Sequence, residues 1–86
     1  MKIELAEIEA ELSLQFENVR LKGHGFSSFL FATSGGRAVE ISEDNGSFWL
    51  EFWEKSDDED AAPVKEMSVV AAEQAVMETK RWLYPK

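Results

Sequence analysis

The sequence predicts an α+β domain of two layers, in which a helix, an antiparallel meander of three or four strands and a second helix follow in chain order. Apolar residues recur at helical spacing near both ends of the chain and alternate with polar residues in the middle. The Asn45-Gly46 pair adds a strong signal for a two-residue hairpin turn. The 86 residues fit one domain, residues 1–86.

The first predicted helix covers residues 3–16. Its apolar stripe consists of Leu5, Ile8, Leu12 and Phe16. Glutamates lie on the opposite side of the same helix, as expected where one side of a helix faces solvent. Val19 and Leu21 then predict a short extended piece before the glycines at 23 and 25.

The predicted strands, in chain order, are residues 26–33, 37–43, 47–54 and, as a short fourth strand, 64–67. The first hairpin turns at Gly35-Gly36 and the second at Asn45-Gly46, where glycine tolerates positive φ angles. The resulting pairing is antiparallel, because each turn is too short for a crossover connection.

The second helix is predicted to follow Ser68, whose side chain can cap a helix N-terminus. Its apolar stripe comprises Val69, Ala72, Val76, Thr79 and Leu83. Lys80 and Arg81 suit the negative end of the helix dipole, and Pro85 ends the helix.

Alternation along the strands sorts their side chains onto two faces. The more apolar set predicts the core, with Phe29, Phe31, Val39, Ile41, Phe48, Leu50 and Phe52. The second face would carry Leu30, Ala32, Ala38, Trp49 and Trp53, with Glu40 and Glu51 as possible cross-strand neighbours. Exposed tryptophans usually mark a contact surface. The sequence alone leaves three possibilities for this face: a contact with a partner, cover by a helix of the same chain, or cover by a second copy of the chain.

Charge excludes some partners. Acidic residues outnumber basic ones by 17 to 9, and nine of the acids lie in residues 38–60. Such a chain repels nucleic-acid phosphates and suits a basic protein partner. The N-terminus lacks the apolar centre of a signal peptide, and no apolar run has the length of a membrane span. We therefore expect a cytoplasmic protein that binds neither nucleic acid nor membranes.

Catalytic and metal-binding signals are weak. The chain has no cysteine and a single histidine, His24, with no base partner or nucleophile motif near it. The acidic run that includes Asp57 and Asp58 lacks the alternate ligand spacing of a calcium loop. We expect no cofactor and no enzymatic activity. A small enzyme or metal-binding protein using His24 or this acidic run is an alternative.

Residues 26–83 contain, in order, Arg-Ala-Val-Glu-Ile, the Asp-Asn-Gly hairpin, Phe-Trp-Leu-Glu-Phe-Trp-Glu, an acidic loop and a closing helix ending in Trp-Leu. In this pattern they resemble small bacterial toxin-immunity domains and related uncharacterised bacterial proteins. The resemblance implies a non-catalytic protein that binds and blocks a partner.

The sequence thus predicts a small acidic protein-binding module whose aromatic sheet face takes a basic partner. The predicted partner-binding residues are Leu30, Trp49, Glu51, Trp53, Asp57 and Asp58. A structural homodimer that uses the same face is the alternative within this class.

Overall fold

One antiparallel sheet follows the first helix in the chain and precedes the second. The computed structural model describes residues 4–23, 28–44, 46–54 and 62–84. Its elements are α1 Glu4–Ser13, β1 Asn18–Lys22, β2 Phe29–Ser34, β3 Arg37–Asp44, β4 Ser47–Trp53, β5 Lys65–Val69 and α2 Ala72–Leu83. The predicted α+β fold is confirmed, with five strands in the order β1-β2-β3-β4-β5 instead of three or four.

The two edge strands account for the difference in strand number. β1 carries only two apolar residues, Val19 and Leu21, which pair with Ala32 and Leu30 of β2. So short a pattern is a weak strand signal by itself, and pairing with a neighbouring strand stabilises it. β5 contains most of the short strand predicted at residues 64–67 and extends to Val69.

Two-residue turns set the register of the central hairpins. Ser34 pairs with Arg37 across Gly35 and Gly36, whose φ angles are +60° and +86°. The next hairpin pairs Asp44 with Ser47, and Gly46 has a φ of +92°. Positive φ angles favour glycine at these positions, because other residues meet a steric penalty there. Asn45 lies outside the described residues.

Both helices pack on the same side of the sheet, which we call the covered face. α1 lies over β1, β2 and β3, and α2 over β3, β4 and β5. The buried core they enclose includes Ile8, Leu12, Leu30, Ala32, Val39, Ile41, Leu50, Phe52, Ala75 and Leu83. Burial of this apolar surface is the main force that joins the two layers.

The start of α2 differs from the prediction. Ser68 and Val69 belong to β5, and the helix begins at Ala72 after the extended residue Ala71, which makes no side-chain capping bond. Pairing of Val69 with Phe48 of β4 buries the valine to 4% exposure. Sheet pairing therefore outweighs the local capping signal of Ser68.

Trp82 fastens the last turn of α2 to the sheet. Its indole Nε1 donates a hydrogen bond to the carbonyl oxygen of Trp53 at 3.0 Å, and its ring meets Phe52 at 5.5 Å. The Arg37 guanidinium lies 4.5 Å from the ring centroid of Trp82 and donates to its carbonyl oxygen at 3.2 Å. Cation–π and hydrogen-bond contacts thus hold the helix against one end of β3 and β4.

Candidate protein-binding face of the sheet

The side of the sheet opposite the two helices is called the open face. Its described side chains include Arg20, Lys22, Phe29, Phe31, Ala38, Glu40, Ser42, Trp49, Glu51, Trp53, Glu66 and Ser68. The aromatic rings, Glu40 and Glu51 are partly exposed, whereas the polar side chains at the two edge strands are exposed. Within the part of the chain that the structure describes, both helices lie on the other side.

The face assignment of β2 corrects the sequence analysis. Leu30 and Ala32, predicted for the open side, are fully buried on the covered face, opposite Ile41 and Val39. Their neighbours Phe29 and Phe31, predicted for the core, lie on the open face and are partly exposed. Grouping the more apolar set of each strand placed the phenylalanines wrongly, because burial on a strand follows the register with its neighbours.

An aromatic patch, defined here as Phe29, Phe31, Trp49 and Trp53, occupies the open face. The Phe31 and Trp53 rings meet edge to face, with centroids 6.3 Å apart and planes at 62°. They come from β2 and β4, on either side of β3, where the small residue Ala38 is fully buried. Four partly exposed aromatic rings on one face provide the large apolar area typical of contact surfaces.

A row of carboxylates crosses the same face. Glu40 of β3 pairs directly with Glu51 of β4, which pairs in turn with Glu66 of β5. This register confirms that Glu40 and Glu51 are cross-strand neighbours. Like charges directly opposite each other destabilise a sheet. The carboxylate row is therefore unfavourable for the fold alone, and such local conflicts are expected where a protein makes functional contacts.

Glu40 has the most perturbed environment of the row. Burial raises the pKa of its carboxyl group above the ordinary value, and the nearby Glu51 carboxylate raises it further. Lys22 acts in the opposite direction and lowers this pKa. Among the described residues, burial and Glu51 thus disfavour the charged form of Glu40 despite Lys22, and a cation brought by a partner would stabilise it.

Hydrogen bonding and cation–π contacts order the groups around Glu40. The Trp49 indole Nε1 donates to Glu51 Oε2 at 3.1 Å. Lys22 Nζ lies 5.4 Å from the ring centroid of Phe31, on the neighbouring strand. The open face therefore already places one cation of the chain against an aromatic ring.

The structure brings together three of the predicted site residues. Trp49, Glu51 and Trp53 share the open face on β4, whereas Leu30 is fully buried in the core on the covered face and cannot contact a partner directly. Asp57 and Asp58 lie outside the described residues, as does His24. Among the described residues, no group of three or more His, Cys, Asp or Glu side chains is arranged to hold a metal ion.

Sequence reasoning missed Phe29 and Phe31 as members of the site. The signal was present in the two-residue turn at Gly35-Gly36, which places Leu30 opposite Ile41. Because Ile41 was already assigned to the core, that register would have moved the phenylalanines to the open face.

A groove lies between the two helices. Its volume is about 710 Å³, and it is lined by Glu7, Ile8, Ala10, Glu11, Ala72, Glu73, Val76, Met77 and Lys80. It contains no aromatic side chain and mixes acidic with basic groups. The open face, with its rings and carboxylates, is the stronger candidate for protein binding.

Neither helix in the described part of the chain is long and apolar enough to span a membrane. No protein-family model matches the chain, and searches of curated proteins and of solved structures gave no significant match.

Proposed function

We propose that this protein is a non-enzymatic binding module whose open face takes a basic protein partner. One observation carries the proposal: the aromatic patch and the carboxylate row share the face that the helices do not cover. The rings provide apolar contact area and the carboxylates attract lysine and arginine side chains.

The aromatic patch would supply most of the affinity. Tryptophans near the centre of an interface often contribute about 2 kcal/mol or more each when they become fully desolvated. Trp49 and Trp53 are partly exposed and lie on one side of β4, two positions from Glu51 on either side. A partner that covers both rings therefore also covers the carboxylate between them.

The charge of the chain would act on the rate and the choice of partner. The formal net charge is −8 at pH 7. Such a field attracts basic proteins from a distance and repels acidic ones, and the effect weakens as salt screens it. The role that fits is that of a cytoplasmic protein which covers and blocks its partner, as the resemblance to toxin-immunity domains implies.

Self-association through the open face is a second candidate function, because opposite charges lie at the two edges of this face. Arg20 and Lys22 lie at the β1 edge, and Glu66 lies at the β5 edge. A second copy related by a two-fold axis along the strands would place these opposite charges together. The same axis would pass near β3 and face each Glu40 towards its copy. Repulsion between those two carboxylates disfavours this dimer and supports the proposal of a basic partner.

Affinity capture tests the proposal with matched variants. The wild-type protein, the double variant Trp49→Ala/Trp53→Ala and the control Leu14→Ala are immobilised and exposed to an extract of the cells that make the protein. Leu14 is 79% exposed and is not part of the open face, so its removal changes apolar area elsewhere. Captured proteins are identified, purified and measured for affinity at increasing salt.

We expect the wild type and Leu14→Ala to bind the same partner, rich in lysine and arginine, with an affinity that falls as salt increases. The double variant should lose that binding. A volume-conserving variant, Glu40→Gln/Glu51→Gln, should weaken it while the melting temperature shows that the fold is kept. Binding that survives in both face variants, or a captured partner that is acidic, would contradict the proposal.

A further inference from the structure

Glu40 occupies the centre of the open face. It lies on β3, the middle strand of the five, directly between Phe31 on β2 and Glu51 on β4. The ring of Trp53, two residue pairs further along β4, meets Phe31 across β3. The Glu40 carboxylate is thus bordered by aromatic rings and by a second carboxylate.

The second carboxylate is held in place. Trp49 Nε1 donates to Glu51 Oε2 at 3.1 Å, and the two residues lie on the same strand two positions apart. A carboxylate oriented by a hydrogen bond loses less conformational entropy when it accepts further bonds from a partner. Glu40 and Glu51 therefore form a pair of acceptors beside flat apolar surfaces.

A guanidinium group fits this combination better than an ammonium group. It is planar, donates N–H groups in a fixed fork to carboxylates and stacks on aromatic rings. The chain uses the same chemistry internally, where the Arg37 guanidinium lies 4.5 Å from the Trp82 ring centroid and also donates a hydrogen bond. A lysine ammonium is more strongly hydrated and loses more hydration free energy on entering such a site.

This inference rests on the proposed function and makes it more specific. We propose that the partner presents an arginine side chain to Glu40 and Glu51, with its guanidinium against the rings of Phe31 and Trp53. In the unbound protein, Lys22 partly fills this role, with its Nζ 5.4 Å from the Phe31 ring centroid. The arriving arginine displaces Lys22, whose positive charge opposes binding.

Two peptides of equal length, both with blocked termini, test the inference. One alternates arginine with glycine, and the other alternates lysine with glycine. Their affinities for the full-length protein are measured by calorimetry at low salt. We expect the arginine peptide to bind about tenfold more tightly. A tenfold difference in affinity corresponds to a binding free energy on the order of one cation–π contact. Lys22→Ala should tighten binding of the arginine peptide, because it removes a competing cation.

Glu40→Gln should abolish most of the difference between the peptides. Glu73→Gln is the matched control, since it removes one negative charge from an exposed position on α2, away from the open face. The control should weaken both peptides slightly through net charge and leave their ratio unchanged. A Glu40→Gln variant that keeps the full ratio would overturn the assignment of the guanidinium position.

The remaining outcomes separate this inference from the proposed function. Equal binding of the two peptides, lost in Trp49→Ala/Trp53→Ala, would overturn arginine selectivity and support the open face as a site for basic partners. Absence of binding by either peptide, or binding that the double variant retains, would overturn both.

Discussion

Thr79 offers a sharp test of how α2 sits on the sheet. Its side chain is fully buried, and its Oγ1 has no hydrogen-bond partner among the residues that the structure describes. An unsatisfied buried hydroxyl costs about 1–3 kcal/mol relative to a satisfied or solvated one. Thr79→Val replaces the hydroxyl by a methyl group of similar size and leaves helix propensity nearly unchanged.

The magnitude follows from these terms. Removal of the unsatisfied hydroxyl should raise the free energy of unfolding by about 1–2 kcal/mol, at the lower end of the range because the helix can relax. For a domain of this size, each kcal/mol shifts the melting temperature by roughly 4–8 °C. We therefore expect Thr79→Val to melt about 5–15 °C above the wild type.

Urea unfolding followed by circular dichroism provides the assay, with the midpoint reporting stability and the slope reporting the surface exposed on unfolding. Thr79→Ser is the control, because it keeps the hydroxyl and removes a packed methyl group, and it should be less stable than the wild type. A Thr79→Val variant that is less stable than the wild type would refute the reasoning. It would mean that the Thr79 hydroxyl has a hydrogen-bond partner, so that this part of α2 packs differently from the description.

Three further predictions concern the two faces and the helix anchor. Leu30→Ala should lower the free energy of unfolding in urea by about 2–5 kcal/mol, because Leu30 is fully buried. Phe31→Ala, at a partly exposed position on the open face, should lower it clearly less. Equal losses in the two variants would contradict the face assignment. Because the folded state raises the pKa of Glu40, the contribution of this group to the unfolding free energy should fall as pH rises from the ordinary value of 4.5 through the raised value. Glu40→Gln should therefore stabilise the protein at neutral pH and lose this advantage below about pH 4.5, as melting temperatures across pH would show; a gain that persists in acid would contradict the assignment. Trp82→Phe removes the indole donor to the Trp53 carbonyl and should lower the unfolding free energy by about 1 kcal/mol, as measured in thermal melts. An unchanged melting temperature would mean that this hydrogen bond does not stabilise the helix.

Local patterns were enough to predict the order of elements. The helical stripe through Ile8 and Leu12 and the glycine turns at both hairpins predicted the meander and its flanking helices. The β5 segment was harder, because Ser68 and Val69 fit both a capped helix and a paired strand. Only the neighbouring strand β4, which offers Val69 a burial partner in Phe48, decides between them.

The candidate site was predicted only in part, because it too depends on pairing between strands. Trp49, Glu51 and Trp53 belong to one strand, so simple alternation places them together. Glu40 was placed on the same face by alternation along β3, and its pairing with Glu51 confirms that prediction. Phe31 joins them only through the register between β2 and β3, which the apolar pattern of β2 alone does not reveal. The raised pKa of Glu40 likewise depends on burial in the folded sheet and on Glu51 of the neighbouring strand.

Molar mass by light scattering over a concentration series tests the central claim most directly, because a self-interface and a partner surface compete for the same open face. The account predicts a monomer of 9.8 kDa at every concentration. A dimer that the substitutions Trp49→Ala and Trp53→Ala convert to a monomer would contradict it, since the open face would then already be occupied by a second copy of the chain.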